Sequence, residues 1–155
     1  MKKGKDYIGV GIGAVIFNKD GKMFLSKRGG KAQNEKGKWE SPGGALEFGE
    51  SFEETIIREI KEEFDFIVEP IEILQPFNHL IPEEKQHWIA LAFICTVKEG
   101  KPKILEPEKS VEIGWFTFQE MEKMDLTLPA RKRLKQIKKK YPKGLSHQPN
   151  FACYE

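Results

Sequence analysis

Residues 8–17, IGVGIGAVIF, form an unbroken apolar run in which glycine recurs at Gly9, Gly11 and Gly13. Such a run predicts a strand. The following Asn18-Lys19-Asp20-Gly21 predicts a hairpin turn, because Asp-Gly supplies the positive φ angles of a tight turn. Residues 22–28 are the returning strand. Residues 29–38 are polar and read as a loop; 39–49, with one proline and three glycines, read as a structured loop. At Ser51 the period changes. Ser51 and Glu54 have capping-box spacing, and Ile56, Ile57, Ile60 and Phe64 gather on one side at about 100° per residue, so a helix is expected over 51–64. Further strands are expected near 66–74, 88–97 and 112–118, and helices near 119–124 and 129–141. Strands around one central helix, with helices at the end, describe a mixed α/β sandwich.

Composition narrows the class. The 155 residues suit one domain, expected to span 1–155. The net charge of +2 describes neither an overall polybasic nucleic-acid binder nor an acidic solvating chain. Cys95 and Cys153 are far apart and form no CxxC, so neither a zinc site nor a disulfide framework is indicated. No apolar run reaches about 18 residues, and Met-Lys-Lys-Gly-Lys-Asp at the start lacks the apolar stretch of a signal peptide. A cytoplasmic location and no membrane partner are the expectation.

The chemistry concentrates on the helix. On a helical wheel Glu59, Glu62 and Glu63 lie within an arc of roughly 100°, beside the apolar stripe. Like charges at this spacing repel, and a hard divalent cation offsets the repulsion with carboxylate oxygens as ligands. A solvated acidic face has the same appearance, and Arg58, four residues from both Glu54 and Glu62, suits either reading. The preceding SPGGALEFGE (41–50) adds information, because glycines let backbone approach a metal or phosphate closely.

Taken together these residues read Gly44-x5-Glu50-x7-Arg58-Glu59-Ile60-x-Glu62-Glu63-x-Asp65-Phe66. This resembles the Nudix box of the Nudix hydrolases, GX5EX7REUXEEXGU with U apolar, over residues 44–66. One position departs: Asp65 stands where the family has glycine. Asp tolerates the left-handed region better than most residues, so the turn is expected to survive. WESPGGALEFGESFEE, HWIALAF and EPEKSVEIGWF are similar to the MutT-like branch, and to small nucleoside-triphosphate pyrophosphohydrolases in particular.

The resemblance implies a Nudix α/β/α sandwich with a mixed β-sheet and a loop–helix–loop catalytic motif. It implies Mg2+, with Mn2+ an alternative, and a small-molecule nucleotide substrate cut at a diphosphate. By the same resemblance Glu59, Glu62 and Glu63 are metal ligands, the Gly43 carbonyl is another, and Arg58 orients the carboxylates through Glu50 or Glu62. Glu112 is a further acid candidate near the metals, in competition with Glu106 and Glu108. For substrate binding the candidates are Arg28 with Lys27 at the phosphates, Glu40 at the base, and Gly44 at the loop. Trp39 reads as a packing residue. Gly9, Gly11 and Gly13 share one strand face and leave room for a flat ligand or a close neighbour. His79 and His87 carry no ligand signal of their own. Residues 131–143 hold 8 basic side chains, read as a solvated face of the last helix, so nucleic acid is not the expected partner; a homodimer rests on analogy alone. The reading is a metal-dependent pyrophosphohydrolase that converts a nucleoside triphosphate to monophosphate and pyrophosphate. An ADP-ribose or NDP-sugar pyrophosphatase, and an RNA 5′-end processing or RNA-binding protein, are the alternatives.

Overall fold

The computed structural model describes residues 1–142 together with Gly144 and Leu145; Cys153 and Lys143 lie outside them. The apolar run forms β1 (Gly9–Phe17), followed by β2 (Met23–Arg28). The turn between them closes as its sequence predicts: Gly21 has φ 75°, and Asn18 Oδ1 accepts from the backbone N–H of Asp20 and Lys22. The expected loop at 39–49 carries two short strands, β3 (Trp39–Glu40) and β4 (Gly43–Ala45). Helix α1 (Phe52–Phe64) then leads into β5 (Ile67–Ile81), a short 3-10 turn at Pro82–Glu84, β6 (Gln86–Glu99), β7 (Ser110–Phe116), α2 (Phe118–Glu122) and α3 (Leu128–Lys140). No described helix is long and apolar enough to cross a membrane.

The strands form one seven-stranded mixed sheet in the order β3-β2-β1-β6-β5, with β4 paired to β1 and β7 to β2. Only β1 and β6 run parallel among the named pairings. β1 and β2 meet only at Phe17↔Met23, so the other end of β1 is available to β4, which pairs Gly13↔Gly43 and Gly11↔Ala45. That exchange of partners draws the glycine-rich loop to the middle of the sheet.

Alternation along β1 divides the core. Ile12, Ala14 and Ile16 face α1 and join Phe24, Ile56, Ile60, Phe64, Phe66 and Phe93. Phe24 makes edge contacts with Phe64, Phe66 and Trp115 at 5.2–5.5 Å. Val15 and Phe17 face the other side, against Met121, Leu126, Ala130, Leu134 and Ile137 of the α2–α3 layer. The sheet is therefore covered on both faces, the α/β/α sandwich that the sequence resemblance implies. Ile57, expected in the apolar stripe of α1, is 37% exposed. It lies about 100° round the helix from Ile56, whereas Ile60 lies only about 40° away.

The strand expected at 66–74 runs on to Ile81. Its ladder with β6 shifts register at Pro70/Glu72 and Leu74/Phe77. Pro70 and Pro76 have no N–H to donate, so the strand bulges there and then resumes.

Candidate active site

The start of α1 is fixed by its cap. Ser51 Oγ accepts from the Glu54 N–H at 3.1 Å, and Glu54 Oε2 accepts from the Ser51 N–H at 2.9 Å. Glu50, just before the cap, accepts from Thr55 Oγ1 and from Arg58 Nη2. Arg58 also donates to Glu59 Oε1 at 3.1 Å and Glu62 Oε2 at 3.3 Å. One guanidinium thus ties the loop carboxylate to two helix carboxylates. The Arg58 hydrogen bonds hold Glu50 down to about 2.

Glu59 lies against the loop. A Cβ on Gly44 would sit 2.1 Å from Glu59 Cδ, and one on Gly43 would sit 2.3 Å from the Ile12 carbonyl oxygen. Only glycine permits this approach of loop, sheet and carboxylate. Burial raises the affinity of Glu59 for a proton, against the lowering effect of Arg58. Burial and the neighbouring Glu59 push Glu63 up to about 8, with Glu106 and Glu40 adding to the effect and Lys109 opposing it.

Glu106 and Lys109 come from the segment before β7. The Leu105 N–H donates to the Glu63 carbonyl, and Gly29 N–H to the Lys109 carbonyl, which anchors that segment between α1 and β2. Lys109 Nζ lies 3.0 Å from Glu106 Oε2. Glu112 stands apart. Its side chain is 60% exposed and lies 4.0 Å from Lys27 Nζ across the β2–β7 ladder.

A cavity of about 530 Å³ opens beside Glu63 and Gly44, over the β1–β6 face of the sheet. Arg28 and Glu40 line it and are paired with each other at 2.6 Å. Arg28 also donates to Asn34 Oδ1 and the Asn34 carbonyl. Burial raises the Glu40 carboxyl and Arg28 counters it. Trp39 packs edge-on to Phe116 at 5.1 Å, in keeping with a packing role. His87 Nε2 lies 2.9 Å from Asn78 Oδ1, whereas His79 lines the cavity.

Several cavity residues escaped the sequence reading: Lys109, Ser41, Phe77, Trp88 and Arg133. Arg133 is 4% exposed and donates to the carbonyls of Gln75 and Ala90 and to Gln136 Oε1. Desolvation lowers its guanidinium to about 10, so it remains a cation at neutral pH. No local pattern marks such a residue in a helix so rich in basic side chains.

The donor set suits a hard cation. Half-buried Glu59 and Glu63 lie close together beside the glycine loop, where burial and the Glu59 charge push Glu63 up, and divalent Mg2+-type ions take oxygen ligands. Among the described residues no three acidic, cysteine or histidine side chains already converge as a cage. Glu62 is turned toward Arg58 and is 56% exposed.

The family follows from fold, loop and helix together. The NUDIX domain profile matches residues 8–140, and the chain belongs to the Nudix hydrolases. Its fold superimposes on a MutT NUDIX hydrolase from Burkholderia pseudomallei with TM-score 0.78 and 32% identity, over 85% of this chain and 99% of that one. An ADP-ribose pyrophosphatase of Methanocaldococcus jannaschii is 36% identical over 97 residues, 63% of this chain and 56% of that protein. An RNA pyrophosphohydrolase of Pelagibacter ubique is 28% identical over 126 residues, 70% of this chain and 76% of that protein. The chain spans only a quarter of another relative, putative nudix hydrolase 1 of Caenorhabditis elegans. Nudix hydrolases generally need divalent cations and act on small nucleotide substrates.

Proposed function

We propose that the protein is a Mg2+-dependent pyrophosphohydrolase that cuts a nucleoside triphosphate to the monophosphate and pyrophosphate. The observation that carries this reading is the Glu59–Glu63 carboxyl pair, seated on Gly43–Gly44 at the edge of a cavity wide enough for a nucleotide. Glu59, Glu63 and the Gly43 carbonyl would hold the cation, joined by Glu62 once it turns from Arg58. A divalent ion bound there supplies Lewis acidity toward phosphate oxygens and lowers the pKa of bound water. Arg58 holds the Glu59 carboxylate in place through its hydrogen bond to Oε1. Glu63, at the cavity edge beside Glu59, is placed to accept the proton of the attacking water at a carboxylate oxygen. Lys109, on the cavity wall, is set to meet the polyphosphate. The water oxygen bonds to one phosphorus of the α–β bridge, the bond from that phosphorus to the bridging oxygen breaks, and the proton passes to Glu63.

Glu106, which helps push the Glu63 carboxyl up, is a better candidate for an extra acid than Glu112, which is 60% exposed beside Lys27. Arg28 is engaged by Glu40 and Asn34, so we assign it to shaping the cavity wall. A single domain in the cytoplasm remains our reading.

A product assay on nucleoside triphosphates, ADP-ribose and NDP-sugars with Mg2+ tests the proposal. Monophosphate and pyrophosphate from a triphosphate are expected. Orthophosphate alone overturns the cleavage position. The relative named ADP-ribose pyrophosphatase favours a second reading, and turnover of ADP-ribose far above every triphosphate would establish it in place of the first.

A further inference from the structure

Residues 29–38, between β2 and β3, have no helix or strand of their own, yet Lys31, Gln33, Asn34 and Glu35 line the cavity. Both ends of the segment are fixed. At its start the Gly29 N–H donates to the Lys109 carbonyl at 2.8 Å and the Lys31 N–H to the Glu108 carbonyl at 3.3 Å. A Cβ on Gly29 would fall 2.6 Å from the Glu108 carbonyl oxygen, so only glycine permits that junction. At its end the Gly37 N–H donates to the Arg28 carbonyl, and Gly37 takes φ 76°. Between these ends the backbone N–H groups of Gln33, Asn34, Glu35 and Lys36 have no acceptor among the described residues. A stretch so bonded belongs to the low end of local stability.

Two side chains hold it. Asn34 is one: Arg28 donates to its carbonyl and to its Oδ1. Glu35 is the other, and its anchor lies on another wall of the cavity. Glu35 Oε1 accepts from the Leu128 N–H at 3.1 Å, across 93 residues of chain. Leu128 opens α3, whose first turns line the cavity through Pro129, Ala130 and Arg133. The bond completes the start of that helix. Thr127 Oγ1 accepts from the Ala130 N–H, Pro129 has no N–H, and Glu35 takes the Leu128 N–H that no helical carbonyl can reach. Negative charge is favoured at a helix N-terminus.

Glu35 adopts an unfavourable backbone to do this. Its φ of 47° lies in the left-handed region, uncommon for a residue other than glycine. Its side chain is only 25% exposed, with Lys38 Nζ 3.7 Å from the same Oε1. Such a conformation persists only where the contacts around it hold it, so the segment relaxes once the bond to Leu128 is lost.

We propose that residues 30–36 are a latched strap along the cavity, and that Glu35 is a positioning residue: by accepting from the Leu128 N–H it holds Lys31, Gln33 and Asn34 against the bound nucleotide. The identity of the ligand rests on the pyrophosphohydrolase reading; the latch is a property of the fold. Glu35 bonds to α3 and not to the Glu59–Glu63 pair, so its loss weakens binding and spares the chemical step.

The test compares the natural protein with Glu35→Ala and Glu35→Gln, the second of which keeps an oxygen that accepts from the Leu128 N–H. Trypsin cleavage after Lys31 and Lys36, mapped by mass spectrometry, reads the strap without turnover. Affinity for ATP by calorimetry without metal, and KM and kcat with Mg2+, read the consequence. In Glu35→Ala, cleavage at both lysines is expected to be roughly tenfold faster and ATP affinity roughly tenfold weaker, the scale of one hydrogen bond to a charged group. KM is expected to rise by a like factor with kcat within about twofold, the pattern of lost uniform binding. Glu35→Gln is expected to restore most of each. A lower melting midpoint in Glu35→Ala with cleavage, affinity and KM unchanged shows a helix cap and nothing more, and overturns the latch. A kcat loss larger than the KM change, or a Glu35→Gln variant that restores nothing, overturns it too. If Glu35→Ala loosens the strap and weakens ATP binding while no form cleaves a triphosphate, the reaction fails and the latch stands. If triphosphates are cleaved and KM is the same in all three forms, the latch fails and the reaction stands.

Discussion

Glu63 is the residue on which the proposed chemistry turns. It is raised to about 8 because it is buried beside Glu59, with Glu106 and Glu40 close enough to add to the effect. Glu63→Gln keeps the shape and removes the charge, so kcat is expected to fall at least ~100-fold, the scale of a lost electrostatic contact in the transition state. Circular dichroism beside turnover with Mg2+ checks this, and a folded variant with near-native turnover removes Glu63 from the site. Glu50 behaves oppositely. Its folded value, about 2, lies below its ordinary 4.5, because Arg58 donates to it. The stabilisation is therefore complete above about pH 4.5 and is lost as the pH falls from there toward 2. Unfolding midpoints measured from pH 6 to pH 2 are expected to fall less steeply in Glu50→Gln than in the natural protein. Asp65 is the third telling residue. It takes φ 56°, ψ 37° at the end of α1, and its carboxylate meets Lys61 and Lys103. The departure from glycine is accommodated by a residue that reaches the left-handed region and finds two cations there.

Among the elements, α3 has two different faces. Its inner face carries Arg133, which donates to the Gln75 carbonyl beside the bulge of β5 and to the Ala90 carbonyl of β6, and lies 4.5 Å over the Phe77 ring. The bulge exists because Pro76 interrupts the ladder, so the helix supplies the donors the strand lacks. Arg133→Met keeps the stem and strands these carbonyls, and a loss of about 1–3 kcal/mol is expected by urea unfolding. The outer face is different. Lys138 pairs with Glu122 and Lys140 with Glu72, all part-exposed. Exposed ion pairs contribute little, so changing Lys138, Lys139 and Lys140 together to Gln is expected to leave kcat on small nucleotides within about threefold, measured at physiological salt. Abolished turnover would put this face in the site.

At the scale of the whole molecule, folding and metal binding are linked through one cluster. The sheet, α1 and the segment before β7 bring carboxyl groups together at Glu59, Glu63 and Glu106, and the crowding raises the proton affinity of Glu63 unless a cation offsets it. Mg2+ is therefore expected to raise the melting midpoint. At a hundred times Kd the gain is about 2.7 kcal/mol. Differential scanning calorimetry with EDTA and with Mg2+ measures it, and the shift should shrink in Glu63→Gln. A melting midpoint indifferent to Mg2+ would count against the cluster as a cation site.

Local pattern alone determined α1, its capping box and the β1–β2 hairpin, because each rests on residues within a few positions of one another. The Nudix box was readable for the same reason: Gly44, Glu50, Arg58, Glu59 and Glu63 lie on one loop and one helix. What only the tertiary structure decided depends on distant chain. The expected strand ends near Leu74, yet pairing with β6 carries β5 past Pro76 to Ile81. The expected loop at 39–49 yields β3 and β4, strands too short to show a period, formed because β2 and β1 have free edges there. Glu112 is the preferred extra acid over Glu106 and Glu108 in the sequence, and it is the path of the chain before β7 that sets Glu106 near Glu63 and pairs Glu112 with Lys27. The alternating glycines promised room on one face, and the registry of β1 with β6 decided how it is used: Trp88 fills the space over Gly9, Ala90 lies beside Gly11, and Ala92 packs into the core beside Gly13. Spacing along the chain determines which residues share an element; which elements share a cavity is set by strand register and packing.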